Sequence, residues 1–398
     1  MRVLEWVRLR AARLLADREA VGWMALVAVY YLLATFMRSQ ASGWGPDHMM
    51  ILATDIFVGR ADLSSLTTIN DIVTIDGRHY QAMSLLPTVP YLPLVPFEAL
   101  WPFSRWIVSA AIGIPAAWLA LPVARRYGPG GAATWWLAVL GAFGTLLFTL
   151  TIEGNFYYLA HLEAVLLTFL LLIEWHDRRR PWVVALLIGL ATLARPTLLL
   201  AAIPFGLALL AESKDRMRTA VAFAAPLAAA VAVTAGWDYV RFGSFTETGY
   251  GIAWIEGPLA KLRDEGMFSI VHVPTNVALF LGGGFSIREA FPWLEPSSLG
   301  HSILLTTPAV LIAFAASFRD RLNQILWACI VLTAIPVFLY YGGGGGATYG
   351  YRYEMDFVPF LFALVAIAVK DRFGNLEKLL IALSVFFVCY GYVWQVFK

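Results

Sequence analysis

The stretch GPDHMMILATDIF, residues 45–57, puts two carboxylates, Asp47 and Asp55, into an otherwise apolar segment. Its hydrophobic residues predict a helix that lies on a membrane surface, and Pro46 marks its start. Asp47 suits the N-cap position, because its carboxylate can accept hydrogen bonds from the free amides of the first turn. Asp55 lies about 80° further around such a helix, so both carboxylates can face one cleft. For Asp55, a solvated helix face is the alternative interpretation.

The composition of the whole chain is that of a membrane protein. Of its 398 residues, 60% are hydrophobic and 14% are charged, and the mean hydropathy is +0.69. A soluble domain has about 25% charged residues. Charge-free runs long enough to cross a bilayer recur along the sequence, which predicts an all-α polytopic membrane protein without a sizeable soluble domain.

Eleven apolar runs are predicted to be transmembrane helices. The run 181–211 is split in two, because one helix of this length would measure about 46 Å against a hydrocarbon core of about 30 Å, and Pro196 interrupts it. The first run, Ala20–Met37, is interpreted as a retained span, since no usual cleavage site follows it. The runs are 20–37, 105–124, 132–150, 157–175, 181–194, 197–211, 216–236, 300–318, 323–341, 353–370 and 376–396.

Lysine and arginine residues predict which helix ends share a side of the membrane. The basic N-terminus and the stretches ARRYG, DRRRP, SKDRMR, FRDR and KDRFGNLEK fall on one side, which the positive-inside rule assigns to the cytoplasm. The segments 38–104 and 237–299 then lie outside. Within the first of these, the proline-rich stretch 85–103 is predicted to dip partway into the membrane. The whole chain, 1–398, is interpreted as a single transmembrane domain.

Several other functions lack support in the sequence. There is no basic cluster of the kind that binds nucleic acid. Cys329 and Cys389 both lie in apolar runs and indicate neither a disulfide nor a metal site. The glycine runs Gly282–Gly284 and Gly342–Gly346 are interpreted as flexible joints, because no Gly-Lys-Ser/Thr follows them as in a nucleotide-binding loop.

Polar residues near membrane depth are candidates for binding or catalysis, because they are costly to place there. Arg78, His79 and Tyr80 follow the turn signal Asp76–Gly77, and the planar fork of an arginine suits phosphate oxygens. An exposed turn is the structural alternative for these three. The other candidates, at predicted outer helix ends, are His161, Glu163, Arg195, Tyr349, Arg352, Tyr353 and Asp356.

Each of these also has a structural interpretation. His161 and Glu163 are two positions apart and do not share a helix face, so one can line a cavity while the other packs. Arg195, beside a helix break, needs an anion, which is either a protein carboxylate or a lipid phosphate. Arg352 and the tyrosines beside it are either interfacial anchors or part of a loop that closes over a ligand after the glycine run.

Five stretches occur along the chain in an informative order. They are GPDHMMILATDIFVGRADL, DGRHYQAMSLLPTVPYLPLVP, LLIGLATLARPTLLL, YVRFGSFTETGYG and TYGYRYEMDFVPFLFAL. Together they resemble the GT-C superfamily of membrane glycosyltransferases, nearest to bacterial proteins similar to polyprenyl-phosphate-mannose-dependent, protein mannosyltransferase-like enzymes. The resemblance implies a GT-C-like helix bundle in a bacterial cytoplasmic membrane, with a large first extracytoplasmic loop that carries membrane-surface helices.

The resemblance also implies roles for the candidate residues. Asp47 matches the family's aspartate in the first outer loop and would act as general base on the acceptor hydroxyl. Many relatives have an acidic pair there, whereas this chain has His48 after Asp47, so Asp55 stays a rival base and a divalent metal stays open. Arginines would stabilise the phosphate of the donor. The residues predicted to bind donor phosphate or sugar are Arg78, His79, Tyr80, His161, Arg195, Tyr349, Arg352 and Tyr353.

The implied reaction moves a hexose or pentose, with inversion, from a polyprenyl-phosphate donor to an acceptor hydroxyl. The acceptor is a glycan, a lipid or a protein, and the other expected partner is membrane lipid. A transporter or flippase of a lipid-linked sugar is the main alternative, and a non-catalytic relative that binds a partner is another. Transport is disfavoured because no inverted repeat is visible and the polar groups crowd the outer face instead of the midplane.

Overall fold

The computed structural model describes residues 17–42, 47–63, 72–255, 258–291, 293–297, 300–345, 349–370 and 372–397. These residues form a helix bundle with two short antiparallel hairpins. The α-helices are α1 Arg18–Ser42, α2 His48–Phe57, α3 Ser104–Trp118, α4 Ala120–Tyr127, α5 Gly131–Phe143, α6 Leu146–Glu153, α7 Phe156–Asp177, α8 Pro181–Ala194, α9 Ala202–Glu212, α10 Arg216–Phe242, α11 Pro258–Asp264, α12 Val273–Gly282, α13 Ile303–Thr306, α14 Arg321–Leu339, α15 Val358–Ala368 and α16 Asn375–Phe397. The strands are β1 Ile72–Ile75, β2 Arg78–Gln81, β3 Phe285–Ile287 and β4 Leu294–Pro296. The 3₁₀ helices are Leu86–Leu94, Glu98–Phe103, Pro196–Ala201, Ile270–His272, Pro308–Ala315 and Arg352–Asp356.

Within the described residues, seven helical segments are long and apolar enough to cross a membrane. The expected helical membrane bundle is therefore confirmed, with the two hairpins as its only described strands. All eleven predicted runs contain helix, but four of them hold only shorter pieces, so the number of crossings stays a prediction. The seven segments are Arg18–Ser42, Glu98–Tyr127, Gly131–Glu153, Phe156–Asp177, Arg216–Phe242, Arg321–Leu339 and Asn375–Phe397.

The helix break expected at Pro196 is present. Helix α8 ends at Ala194, Arg195 is extended with φ −135° and ψ 103°, and a 3₁₀ helix begins at Pro196. Proline disfavours the α conformation in the residue before it and lacks the N–H that would continue the helix. Arg195 therefore lies at a joint between two short helices.

Three of the basic stretches that were predicted to share a side, ARRYG, DRRRP and FRDR, meet at one end of the bundle, and residues 1–16 of the basic N-terminus lie outside the described residues. Arg125 Nη1 lies 2.5 Å from the Asp17 carboxylate, near the start of α1, and Arg126 Nη2 lies 2.7 Å from Asp177 at the end of α7. Further pairs at this end are Arg179–Glu212 and Arg321–Glu212. These contacts place the segments together, and the assignment of this end to the cytoplasm stays a prediction.

The hairpin formed by β1 and β2 belongs to the first predicted outer segment. Its two-residue loop has positive φ at both Asp76 (50°) and Gly77 (75°), as in the type I′ turn that Asp-Gly favours. The amide of Trp254, in the second predicted outer segment, donates a 2.8 Å hydrogen bond to the carbonyl oxygen of Ile72. The two outer segments are thus joined through this hairpin.

Arg241, in the last turn of α10, fixes the hairpin to the bundle. Its guanidinium donates hydrogen bonds to the carbonyl oxygens of Gln81 and Met83 and lies 2.6 Å from the Asp238 carboxylate. Because Arg241 and Asp238 are both buried, this pair holds the end of β2 in one place.

Helix α7 lies between the segments that carry most candidate residues. It packs against α3 and α8, and also against the 3₁₀ helices Leu86–Leu94 and Arg352–Asp356. The first turns of α7 therefore face the first outer segment and the chain that follows the glycine run.

Candidate functional site

Asp47 lies directly before α2, where its backbone is extended with φ −108° and ψ 176°. Its Oδ1 accepts a 2.9 Å hydrogen bond from the amide of Met50, so the expected N-cap is confirmed. The residue is only 6% exposed. The cap uses one carboxylate oxygen and leaves the other, Oδ2, for a different partner.

That partner is Tyr91, in the 3₁₀ helix Leu86–Leu94, called the proline segment below. The Tyr91 hydroxyl donates a 2.6 Å hydrogen bond to Asp47 Oδ2, and Thr88 Oγ1 lies 3.2 Å from Met49 Sδ. Residues three apart lie above one another in a 3₁₀ helix, so Thr88 and Tyr91 share the face toward α2. Prolines also recur every third residue here, which removes N–H donors along one edge.

Burial raises the pKa of Asp47 above its ordinary value. The Tyr91 hydroxyl, the Met50 amide and the nearby Arg105 charge favour the ionised form and act against this rise. A carboxylate whose pKa is moved toward neutrality is better able to accept a proton from a hydroxyl group. The direction of this pKa shift is the one that a general base needs.

Asp55 lies near the other end of α2, among different neighbours. It is 6% exposed, so the interpretation of a solvated face is wrong. Arg60 Nε lies 4.0 Å from its carboxylate, while the Arg60 fork binds Asp62 at 2.7 and 3.2 Å. Asp47 instead bonds to Tyr91, so the described contacts give the two aspartates of α2 separate partners.

Arg195 is paired with a protein carboxylate. Its Nε and Nη2 lie 2.9 and 3.0 Å from the two oxygens of Asp356, which is fully buried. The Thr197 hydroxyl donates a 2.6 Å hydrogen bond to Asp356 Oδ2, and His161 Nδ1 lies 3.4 Å from Oδ1. Of the two anions expected for Arg195, the structure shows the protein carboxylate. This group therefore holds α7, the joint after α8 and the 3₁₀ helix Arg352–Asp356 together.

His161 and Glu163 are both buried in α7. His161 faces Asp356, whereas one oxygen of Glu163, Oε2, has no hydrogen-bond partner among the described residues. The histidine thus belongs to the Arg195 group, and the glutamate does not.

Arg352 has surroundings unlike those of Arg195. Its guanidinium carbon lies 5.7, 5.5 and 5.2 Å from the ring centres of Tyr157, Tyr158 and Tyr353. In the part of the chain that the structure describes, no carboxylate lies within 4.0 Å of it, and its buried Nε has no hydrogen-bond partner. An arginine placed among aromatic rings without a counter-ion is costly, and an incoming anion would offset that cost.

The glycine run leaves space for the Arg352 side chain. Gly345 has φ +99°, and a Cβ atom there would collide with the Arg352 side chain. The Arg352 amide also donates a 3.2 Å hydrogen bond to the carbonyl oxygen of Gly344. The glycine run is thus packed directly beside this arginine.

A row of aromatic rings links Asp47 to Arg352. His48, next to Asp47, has its ring centre 4.6 Å from that of Phe156, which lies 4.1 Å from that of Tyr157. Arg352 contacts the other end of this row through Tyr157. The start of α7 therefore connects the buried carboxylate of Asp47 to Arg352, which has no carboxylate partner among the described residues.

Other predicted site residues lie elsewhere. Tyr349 is fully buried, and its hydroxyl donates to the carbonyl oxygen of Phe387, while its ring fills the space beside Gly391. Arg78, His79 and Tyr80 line a separate cleft at the end of the first hairpin. The structure brings together His161, Arg195, Arg352, Tyr353 and Asp356.

A metal site was left open by the sequence. Among the residues the structure describes, no three His, Cys, Asp or Glu side chains gather to hold an ion. The residue after Asp47 is His48, and its ring packs on Phe156.

Comparison with solved structures identifies the fold. The chain is similar to the crystal structure of ArnT from Cupriavidus metallidurans bound to undecaprenyl phosphate, with a TM-score of 0.53 and 14% identity over 89% of this chain and 61% of that one. It is also similar to the apo oligosaccharyltransferase of Archaeoglobus fulgidus, with a TM-score of 0.50 and 13% identity over 94% of this chain and 55% of that one. The chain has the GT-C fold.

The similarity to these two structures shows the fold alone, because both sequence identities are low. This chain spans about 61% and 55% of the length of the two GT-C structures. No protein-family model and no curated protein sequence matches the chain.

Two features of the site were not predicted from the sequence. Tyr91 was not singled out, although the prolines at every third position of its segment are a signal for a 3₁₀ helix that repeats every three residues. The ion pair between Arg60 and Asp62 was also not predicted. The spacing of an arginine and an aspartate two positions apart after a helix does not indicate that their side chains form two hydrogen bonds with each other.

Proposed function

We propose that this chain is a glycosyltransferase that moves a sugar from a polyprenyl-phosphate donor to an acceptor hydroxyl at the outer face of the membrane. Arg352 would bind the donor phosphate, and Asp47 would act as the base. The observation that carries the proposal is that Arg352 has no carboxylate partner among the described residues, while its neighbour Arg195 is paired with Asp356.

The phosphate assignment follows from charge. Arg195 is neutralised by Asp356, so it attracts a further anion less strongly than an arginine that keeps its net charge. Arg352 keeps its positive charge in a tyrosine-lined setting of low polarity, where a phosphate is held more strongly than in water. In the transition state, the leaving phosphate gains negative charge, which this guanidinium would stabilise by several kcal/mol.

Asp47 would complete the reaction. Its carboxylate takes the proton of the acceptor hydroxyl as that oxygen forms a bond to the anomeric carbon. The bond between this carbon and the phosphate oxygen breaks, and polyprenyl phosphate leaves with the electron pair. A single displacement of this kind inverts the anomeric centre. Tyr91 would keep the carboxylate oriented through its 2.6 Å hydrogen bond.

The comparisons support the donor class. One of the similar structures is a complex with undecaprenyl phosphate, a polyprenyl phosphate of the proposed kind. The similarity in fold makes a lipid-linked donor the natural proposal for this chain, although the identity of 14% carries no residue roles across. The sugar, a hexose or a pentose, and the acceptor, a glycan, lipid or protein, are left open by this proposal.

The test uses the purified full-length protein with labelled polyprenyl-phosphate sugars and a membrane extract. Asp47→Asn should lower transfer by about 10²–10⁴-fold, because the general base is removed. Donor binding should persist, since the carbonyl oxygen of asparagine can still cap α2, while its amide group, in place of Oδ2, can donate to the Tyr91 hydroxyl oxygen. Asp55→Asn is the matched control, because it removes the rival carboxylate of the same helix.

The outcomes separate the alternatives. If Asp55→Asn abolishes transfer and Asp47→Asn does not, the assignment of the base is wrong. A flippase would move labelled lipid across a vesicle membrane in both variants without forming a glycosylated product. A protein that binds the donor but never transfers its sugar, in any extract, would contradict the proposed activity.

A further inference from the structure

A cleft of about 710 Å³ opens at the end of the first hairpin, among residues that the proposed reaction does not use. Its volume lies within the range of about 300–1,000 Å³ that is usual for small-molecule sites. Its walls are the turn after α2, the loop and second strand of the first hairpin, and the last turn of α10. The lining residues are Gly59, Arg60, Ala61, Asp62, Leu63, Gly77, Arg78, His79, Tyr80 and Val240.

Backbone hydrogen bonds hold the walls of this cleft in place. The amide of Leu63 donates a 2.7 Å bond to the carbonyl oxygen of His79, which joins the turn after α2 to strand β2. The amide of Arg60 donates a 2.8 Å bond to the carbonyl oxygen of Asp55, which ends α2. His79 Nδ1 also lies 3.0 Å from Thr74 Oγ1, across the hairpin. Hydrogen bonds within the protein thus fix the positions of these walls relative to one another.

The lining residues have more positive than negative charge. Arg60 is forked onto Asp62, and this contact lowers the pKa of the Asp62 carboxyl, so the two charges cancel. Arg78 is exposed, and no carboxylate among the described residues lies within 4.0 Å of it. Its fork is therefore free to hold oxygen atoms of a phosphate, which arginine binds through two parallel hydrogen bonds.

The rim of the cleft is apolar. Phe57 and Val58, just before the lining turn, are 62% and 67% exposed, and Val240 in the opposite wall is 62% exposed. Helix α10 has 27 residues and is about 40 Å long, against a hydrocarbon core of about 30 Å. Its last turn, with Val240, thus reaches the depth of the lipid headgroups when its first turn lies at the opposite surface.

We propose that this cleft binds the headgroup phosphate of an anionic phospholipid from the outer leaflet. Arg78 would hold the phosphate, and the lipid chains would lie along Phe57, Val58 and Val240. The cleft shares no lining residue with the surroundings of Arg352, so it is a second lipid-phosphate site. Such a lipid would hold the first hairpin on the membrane surface. The inference does not depend on the proposed transfer reaction.

The experiment measures lipid binding to the purified full-length protein by native mass spectrometry. Phosphatidylglycerol is compared with phosphatidylcholine, whose headgroup has no net charge. Arg78→Gln should weaken phosphatidylglycerol binding by about tenfold, as expected for the loss of one charge-assisted contact, and should weaken phosphatidylcholine binding less, because the choline cation already neutralises that phosphate. Arg78→Lys should recover part of the affinity. Arg288→Gln is the control, because it removes an exposed arginine from the second hairpin instead.

Equal losses in Arg78→Gln and Arg288→Gln, or no loss in either, would overturn the proposal. A second arm adds inorganic phosphate alone at millimolar concentration. The proposal predicts that it does not displace phosphatidylglycerol, because it lacks the apolar chains, and full displacement would assign the cleft to a soluble phosphate instead. Arg78 forms no ion pair among the described residues, so Arg78→Gln leaves no carboxylate without a partner and the variant should fold. A thermal unfolding temperature close to that of the unsubstituted protein would confirm this.

Discussion

Two arginines, Arg195 and Arg352, contact the same ring of Tyr353, at 5.0 and 5.2 Å, yet they have opposite surroundings. Arg195 is forked onto Asp356 and is locked by a carboxylate that also accepts from Thr197. Among the described residues, Arg352 contacts tyrosine rings and the glycine run, and its Nη2 lies 3.5 Å from the Tyr353 hydroxyl.

The difference separates a charge that is paired within the fold from one that we propose binds a ligand. A buried ion pair satisfies both partners, and removing one partner leaves an uncompensated charge. An arginine without a counter-ion gives the fold little and remains ready for an anionic ligand. Loss of the partner of Arg195 and loss of Arg352 itself should therefore change stability by different amounts, which makes the comparison testable.

The largest effect is expected at the paired arginine. Asp356→Asn should lower the free energy of unfolding by about 3–5 kcal/mol, because Arg195 would keep its charge without a partner. Unfolding of the purified protein in a detergent titration measures this change. The charge-neutral double variant Arg195→Gln/Asp356→Asn is the control and should recover much of the loss. Equal stability of the single variant and the unsubstituted protein would contradict the pairing.

A much smaller change in stability is expected at the other arginine. Arg352→Gln should alter the free energy of unfolding by no more than about 1 kcal/mol, because the lost ring contacts are offset by removal of a charge without a partner. The same detergent titration applies. A loss as large as that of Asp356→Asn would show that Arg352 has a structural partner, and the contrast between the two arginines would fail.

The smallest effect concerns the base. Because burial raises the pKa of Asp47, transfer should decline with falling pH at a midpoint above the value of about 3.9 that is usual for aspartate. Tyr91 stabilises the ionised form, so Tyr91→Phe should move this acid limb upward by about one pH unit. The pH profile of transfer measures the shift. A lower rate at every pH with an unmoved limb would indicate a packing role for Tyr91 alone.

Local chemistry explains the parts of this fold that the sequence could predict. The N-cap at Asp47, the break at Pro196 and the turn at Asp76–Gly77 all depend on neighbouring residues, and each is present. The clustering of basic stretches at one end of the bundle follows from charge alone, and the ion pairs there agree with it.

The site was harder to predict, because its decisive contacts join distant parts of the chain. Arg195 meets Asp356 across 161 positions, and Tyr91 meets Asp47 across 44. Composition and spacing make several arginines look alike, and only the packing of α7 decides which of them is paired. For the same reason, Tyr349 resembled a site residue in sequence but lies in the packed core.

Binding of a polyprenyl phosphate to the purified protein tests the central claim most directly. Arg352→Gln should weaken this binding by about tenfold or more, whereas the neutral double variant Arg195→Gln/Asp356→Asn should retain it within about twofold. Loss of binding in the double variant, together with normal binding in Arg352→Gln, would show that the phosphate is held at Arg195, and it would contradict the account.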